Sequence, residues 1–194
     1  MKIGIDLDEV VAKQLDELVK FYYKKTGKMI SKDKFHTYYW PDVWGISLED
    51  AIKVDKEFKE SESFDNLEIF ENAKEILHEL SKKNKLYIIT ARPVAFKDKT
   101  LKWIKKNIGL PIAVHHSSDF HLGNKTNTKA NICQDLGVSV LIEDQEKYAE
   151  ECAAAGINVL LFNQPWNKNC CENKNIVRVN GWNEVLDKIE GFEK

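Results

Sequence analysis

No apolar run in this sequence approaches the roughly 20 residues that a membrane-spanning helix needs, so the chain is expected not to enter a membrane. Charge of one sign is missing too. The 29 basic residues stand against 31 acidic ones, a formal charge of −2, and this balance gives no attraction to polymeric nucleic acid. Glycine and proline are sparse, at 9 and 4 residues, which excludes a collagenous or low-complexity chain. The cysteines, Cys133, Cys152, Cys170 and Cys171, include no C-x-x-C pair. Adjacent Cys170 and Cys171 would form only a strained bridge. Reduced thiols in the cytoplasm are therefore expected, not a disulfide framework or a structural zinc site. The first residues run straight into strand-like sequence with no secretory leader, which agrees with that location.

What is present suits one domain of ordinary size. The 194 residues are 43% hydrophobic and 31% charged, enough to enclose a sizeable core behind a polar surface. Short β-branched runs read as buried strands: "KIGIDL" (2–7), "KLYIIT" (85–90), "IAVHH" (112–116), "VSVLIE" (138–143) and "INVLLF" (157–162). "NIVRVN" (175–180) reads as a sixth, at an edge. Helical patterns lie between them at 72–83, starting from an Asn72 cap, and at 96–107, 127–136, 146–155 and 182–190. Glycines 109, 137, 156 and 191 supply the stop signals. Alternating strands and helices predict an α/β fold, a doubly wound parallel sheet. Residues 11–71 break the alternation with helical stretches at 12–26 and 47–60, the latter behind a Ser47–Asp50 capping signal. The expected organisation is a core of residues 1–10 and 72–194 with a small helical cap, 11–71, inserted after the first strand.

Ligands of an open parallel sheet bind beyond the carboxyl ends of its strands. Here the first strand runs into Asp6-Leu7-Asp8, with Glu9 next. The second ends in Thr90, followed by Ala91-Arg92-Pro93, and the fourth ends in Glu143-Asp144. Lys129 opens the helix before the fourth strand, with Lys125 nearby. Several carboxylates at one edge repel one another by roughly a few kcal/mol per close pair, and a divalent cation relieves this. Oxygen-only ligands of this kind suit Mg²⁺. A lysine and a hydroxyl beside them make a receptacle for a phosphoryl group. A lone D-x-D is more often a turn or a helix cap; it is Thr90 and Asp144 at matching strand ends that point to catalysis. Neither G-x-G-x-x-G nor a G-x-x-x-x-G-K-[ST] loop is present.

In this order, "DLDEV", "ITAR", a helix-opening lysine and "IEDQ" resemble the four motifs of haloacid dehalogenase-like phosphatases, and the likeness spans nearly the whole chain. Within that superfamily the chain is most similar to the 5′(3′)-deoxyribonucleotidases, the cytosolic type C 5′-nucleotidase family, and their bacterial relatives. The short cap, "HTYYWPDVWGIS" and "FENAKEILHEL" carry that finer likeness. The resemblance implies Asp6 as a nucleophile that forms an aspartyl-phosphate, and Asp8 as general acid and then base. Thr90 and the Ala91 backbone N–H would bind phosphate oxygens. Lys129 would stabilise the developing charge, with Lys125 the alternative and Lys99 a more distant one. Asp6, the Asp8 main-chain carbonyl and Asp144 would hold Mg²⁺, supported by Glu143. Glu9 is a departure, because many relatives have glycine there. Relatives of this type are often dimers, which leaves a homodimer open.

The implied activity is Mg²⁺-dependent hydrolysis of a small phosphate ester, a (deoxy)nucleoside monophosphate foremost. Sugar phosphates or other phosphorylated metabolites are the alternative. A phosphoryl-accepting regulatory domain is the alternative from another class, although receiver domains order their residues differently and lack a helical insertion here. The cap aromatics Phe35, Tyr38, Tyr39, Trp40 and Trp44 read both as the cap's own core and as stacking surfaces for a base. Tyr38 or Tyr39, Trp40 and Trp44 are the candidates to face substrate, with Phe64 a weaker one. Arg92 is placed either on the substrate's phosphate or sugar or in a surface ion pair. His115, His116 and His121 read as solvated loop residues before a zinc site, and "NKNCCENKNIV" as an exposed loop.

Overall fold

The computed structural model describes residues 1–31, 34–37, 39–118, 127–170 and 173–192. Six short strands, β1 (Lys2–Ile5), β2 (Lys85–Thr90), β3 (Ala113–His116), β4 (Val140–Glu143), β5 (Asn158–Phe162) and β6 (Ile176–Val179), form one all-parallel sheet. Its order is β3-β2-β1-β4-β5-β6, so β1 lies at the centre between β2 and β4. The continuous apolar runs have a simple cause, because the inner strands β1, β2, β4 and β5 are buried on both faces and alternate between two cores. Ile3, Ile5, Leu86, Ile88, Val140 and Ile142 face one core. Tyr87, Ile89, Leu141, Val159 and Leu161 face the other. Gly4 faces the second core, where an added Cβ would lie 2.9 Å from Ile89 Cδ1 and 3.1 Å from Leu141 Cδ1.

The connecting helices are α5 (Ala73–Ser81), α6 (Lys97–Asn107), α7 (Lys129–Leu136), α8 (Glu146–Ala154) and α9 (Trp182–Phe192). Trp103 and Ile104 of α6 and Val185 and Ile189 of α9 belong to the first core. Cys133 of α7 and Ala149 and Cys152 of α8 belong to the second. Two expected boundaries differ. Asn72 precedes α5 but makes no side-chain cap; it holds a left-handed φ of 60° and its amide donates to Asn183 instead. Helix α9 continues through Gly191 rather than stopping there. A glycine in a helix costs only about 1 kcal/mol, and buried Ile189 anchors that last turn. Cys170 is buried against the second core instead of lying in an exposed loop.

Between β1 and β2 lie α1 (Gln14–Thr26), α2 (Trp40–Trp44), α3 (Leu48–Glu60) and α4 (Glu62–Asp65). Ser47 caps α3, its hydroxyl accepting from Asp50 N at 3.1 Å. The inner faces of these helices bury Leu18, Tyr22, Trp44, Val54, Phe58 and Phe64, and this apolar layer is continuous with the first sheet core. Lys99 of α6 ties the segment down. Its ammonium donates to the Glu60 and Ser61 carbonyls at the end of α3 and to Asp65 at 3.1 Å. Among the described residues no helix is long and apolar enough to cross a membrane.

Candidate active site

β1 ends at Ile5, yet Asp6 N still donates to Ile142 O at 2.9 Å, so Asp6 is carried at the carboxyl edge of the sheet. A tight turn follows, closed by Val11 N and Ala12 N onto Leu7 O. Glu9 takes φ 58° there, in the left-handed region. That conformation costs a side-chain-bearing residue roughly 1–2 kcal/mol, which is why glycine suits the position. The Glu9 carboxylate offsets the cost by accepting from Leu15 N, one of the unsatisfied donors at the start of α1. The turn is therefore kept, with Glu9 serving as a helix cap.

Two further strand ends and the start of α7 converge on Asp6. Lys129 is the first residue of α7, placed by the Thr128 cap whose hydroxyl accepts from Asn131 N. Its ammonium sits 2.7 Å from Asp6 Oδ1 and 2.7 Å from Glu143 Oε2 and is 1% exposed. The Tyr148 ring covers it, with the nitrogen 4.4 Å from the ring centroid. Glu143, fully buried at the end of β4, also accepts from Gln145 N at 3.1 Å. Asp144 follows it, held by the Trp166 indole N–H at 3.0 Å, while the Asn167 amide donates to its carbonyl. Thr90 is the last residue of β2, and its hydroxyl accepts from Arg92 N. Asp8 turns aside and is gripped at both oxygens by the Arg92 guanidinium, at 2.6 and 2.8 Å. With the Gln14 amide nitrogen turned toward it, Asp8 accepts two more bonds, at 3.1 and 3.3 Å.

The charges in this cluster do not balance. Asp6, Glu143 and Asp144 bring ligand oxygens within 4.8 Å of one another and share a single buried ammonium. Burial pushes the Asp6 carboxyl up to about 7; Lys129 opposes the shift, while Glu143 and Asp8 add to it. Asp144 is likewise held well above the ordinary carboxylate range by burial and by Glu143 and Asp6. Burial works against the Lys129 ammonium, but Asp6 and Glu143 outweigh it and raise its pKa. Three carboxylates against one ammonium leave two charges uncompensated, and one divalent cation would restore neutrality. The donor set therefore fits a hard cation with oxygen ligands.

A consequence follows for the chain stripped of divalent cations. The folded Asp6 carboxyl titrates above its unfolded value of about 3.9, so its contribution to stability is complete below that pH and is lost as pH rises through about 7. The melting temperature in EDTA should fall between pH 5 and about 8, and Mg²⁺ should restore more of it at the upper end. A melting temperature independent of pH in EDTA would contradict this account of the cluster.

Asp6, Asp8, Thr90, Arg92, Lys129, Glu143, Asp144 and Tyr148 border one cavity of about 490 Å³, between the carboxyl edge of the sheet and the inserted helices. That is the size of a small-molecule site. Asp6, Asp8, Thr90, Ala91, Lys129 and Asp144 line its floor. Its roof carries Tyr39, Trp40, Leu48, Ile52 and the Asp55–Lys59 ion pair of α3. Trp44 does not line the cavity; it lies between Tyr22 and Trp40, stacked at 4.7 and 5.6 Å. Phe64 packs against Arg92, and Lys99 is occupied at the end of α3. Tyr38, Lys125 and His121 lie outside the described residues. His116 Nδ1 lies 2.8 Å from the Arg92 carbonyl. Among the described residues no metal-holding group includes a histidine. Gln14, Tyr148 and Trp166 join the site through Asp8, Lys129 and Asp144 without a motif to announce them. Nothing marks Gln14 or Tyr148 in the sequence, whereas a tryptophan in the polar loop "NQPWN" was a readable signal.

The parallel sheet with an acidic edge, a buried lysine and a strand-end threonine has a haloacid dehalogenase-like fold. The structure overlays a haloacid dehalogenase-like family hydrolase from Streptococcus pneumoniae with a TM-score of 0.71, covering 97% of both chains at 15% identity, a likeness of fold. Residues 1–192 match the family described as 5′ nucleotidase, deoxy (pyrimidine), cytosolic type C. The chain belongs to that family, and it is a phosphoric monoester hydrolase. Over 193 residues it is 27% identical to a 5′(3′)-deoxyribonucleotidase of Bacillus subtilis, across 96% of this chain and 97% of that protein. A nucleotidase of Clostridium acetobutylicum is 26% identical over 197 residues, across 100% of this chain and 96% of the relative.

Proposed function

We propose that the chain is a Mg²⁺-dependent phosphomonoesterase for small phosphate esters, (deoxy)nucleoside monophosphates first among them, working through an aspartyl-phosphate on Asp6. The observation that carries this reading is the pairing of Asp6 with Lys129 beside Glu143 and Asp144, two positive charges short of neutrality. Asp6, Asp144 and the Asp8 carbonyl, with Glu143 behind, would hold the metal. When bound, Mg²⁺ would neutralise phosphate oxygens and orient the ester.

The chain's own groups do the rest. An Asp6 oxygen attacks phosphorus in line with the leaving oxygen, and the P–O bond to the leaving alcohol breaks. Asp8 gives that oxygen its proton, then takes one from the water that opens the aspartyl-phosphate. Thr90 and the Ala91 N–H hold phosphate oxygens, and Lys129 offsets their developing charge. Residues 11–71 serve as the cap that closes over the ester, with Tyr39 and Trp40 as its stacking surface. Small substrates fit under this roof, and folded macromolecules do not. The three described cysteines are free, which suits a reducing cytoplasm.

The test is phosphate release from ribo- and deoxyribonucleotides, sugar phosphates and an aryl phosphate, with Mg²⁺ and then with EDTA. Metal-dependent release concentrated on nucleotides is expected. Release spread over sugars would discard the nucleotide, and a stable phosphorylated chain with no release would favour the regulatory reading. Stacking on aromatic rings is worth about 1–3 kcal/mol per base, so Trp40→Ala should raise KM for nucleotides roughly 5- to 150-fold. Its kcat/KM for a small acyclic phosphate should change little. An unaltered nucleotide KM in that variant would remove Trp40 from the base site.

A further inference from the structure

Arg92 borders the cavity, yet its guanidinium is 1% exposed and already engaged. Nε and Nη2 donate to the two oxygens of Asp8 at 2.8 and 2.6 Å, and Nη1 reaches Thr100 Oγ1 at 3.4 Å. The Phe64 ring of α4 covers it at 4.4 Å, with the Trp103 ring at 6.0 Å. A substrate oxygen could bind Arg92 only by displacing Asp8. Trp103 in turn donates its indole N–H to the Leu67 carbonyl, so the pocket around the guanidinium is built from both the inserted segment and α6.

We propose that Arg92 is a positioning residue, which fixes the orientation of the Asp8 carboxylate from a pocket shared with Phe64 rather than binding substrate. The inference rests on the phosphatase reading above. In that reaction one carboxyl must reach two oxygens in turn. Asp8, entering the cycle as the carboxylic acid, first gives its proton to the leaving oxygen as the Asp6–P bond forms and the ester P–O bond breaks. It then takes a proton from water as the water O–P bond forms and the Asp6–P bond breaks, which returns both aspartates to their starting states. A side chain free to rotate would lose that alignment, and a two-donor fork prevents rotation. Lysine offers a point charge with no fork, so Arg92→Lys retains the charge and removes the geometry.

The experiment compares the unmodified chain, Asp8→Asn, Arg92→Lys and the double variant, all with Mg²⁺ and with melting curves to confirm folding. On a nucleoside monophosphate, whose alkoxide needs a proton, Arg92→Lys should lower kcat about 100-fold with KM little changed. On p-nitrophenyl phosphate the phenolate leaves unaided. The first equivalent of nitrophenol should appear at nearly the unmodified rate, followed by slow turnover as water attack falters. In the Asp8→Asn background the lysine should add almost nothing. Phe64→Leu, which keeps apolar volume and loses the ring under the guanidinium, should show the same pattern more weakly if Arg92→Lys does not fold. A tenfold rise in KM, a slowed first equivalent, or a full Arg92→Lys loss on top of Asp8→Asn would overturn the inference and assign Arg92 to substrate, with the threshold set at about ten to exceed ordinary scatter. The controls separate this from failure of the function itself. An unmodified chain inactive on every ester removes both, and a fully active Asp8→Asn removes the acid–base role of Asp8 whatever Arg92 does.

Discussion

Asp6→Asn is expected to abolish hydrolysis, with a fall of at least about 10⁴-fold, because in the proposed mechanism the first bond to phosphorus forms on the Asp6 carboxylate. The fold should survive. Burial and neighbouring carboxylates already hold the Asp6 carboxyl at about 7, so a neutral amide relieves repulsion from Glu143 and Asp144. Lys129 keeps its partner at Glu143, 2.7 Å away, so no buried ammonium is left unpaired. The melting temperature in EDTA should stay level or rise at pH 8. Phosphate release and melting are measured on the same preparation. Substantial turnover by a folded Asp6→Asn would refute the nucleophile, whereas an unfolded variant would show that Asp6 is needed for the architecture first.

Lys129→Met should produce the opposite pairing, with activity and stability lost together. Among the described residues Lys129 is the one cation paired with Asp6 and Glu143, and the substitution leaves buried carboxylates facing one another. Removing one partner of a buried ion pair costs about 3–5 kcal/mol. In a chain of this length that corresponds to a fall of roughly 6–20 °C in melting temperature. The sign of its pH dependence is determined. Carboxyls whose folded pKa is raised are comfortable protonated, so the loss should be small near pH 5 and grow as pH passes about 7. Mg²⁺ should recover part of the stability but little of the activity, since charge on the transferring phosphoryl group would lack its lysine. A variant as stable as the unmodified chain at pH 8 in EDTA would show that Lys129 does not neutralise the cluster.

Much of this site was legible along the chain because a parallel sheet is an ordered device. Strand ends lie at one edge, so Asp6, Thr90 and Glu143-Asp144 could be placed together without knowing the strand order. The β-branched runs, the Ser47 cap and the glycines after α7 and α8 are local signals of backbone conformation, and local signals survive folding. Glu9 was legible only as an anomaly. A residue with a Cβ in a glycine position needs a compensating contact, and its partner, Leu15 N, is visible only once α1 starts where it does.

The sequence by itself determined that this chain is a doubly wound α/β protein with an acidic sheet edge and a helical segment inserted after the first strand, because periodicity and strand-end chemistry are carried by neighbours in the chain. Tertiary structure alone decided that Arg92, 84 residues from Asp8, commits its guanidinium to that carboxylate at the border of the cavity. It likewise put Trp40 at the cavity and Trp44 inside the aromatic stack, although both lie on the same short helix. The direction a side chain faces depends on which distant surface it buries against, and that surface does not exist until the sheet and the inserted helices have packed together.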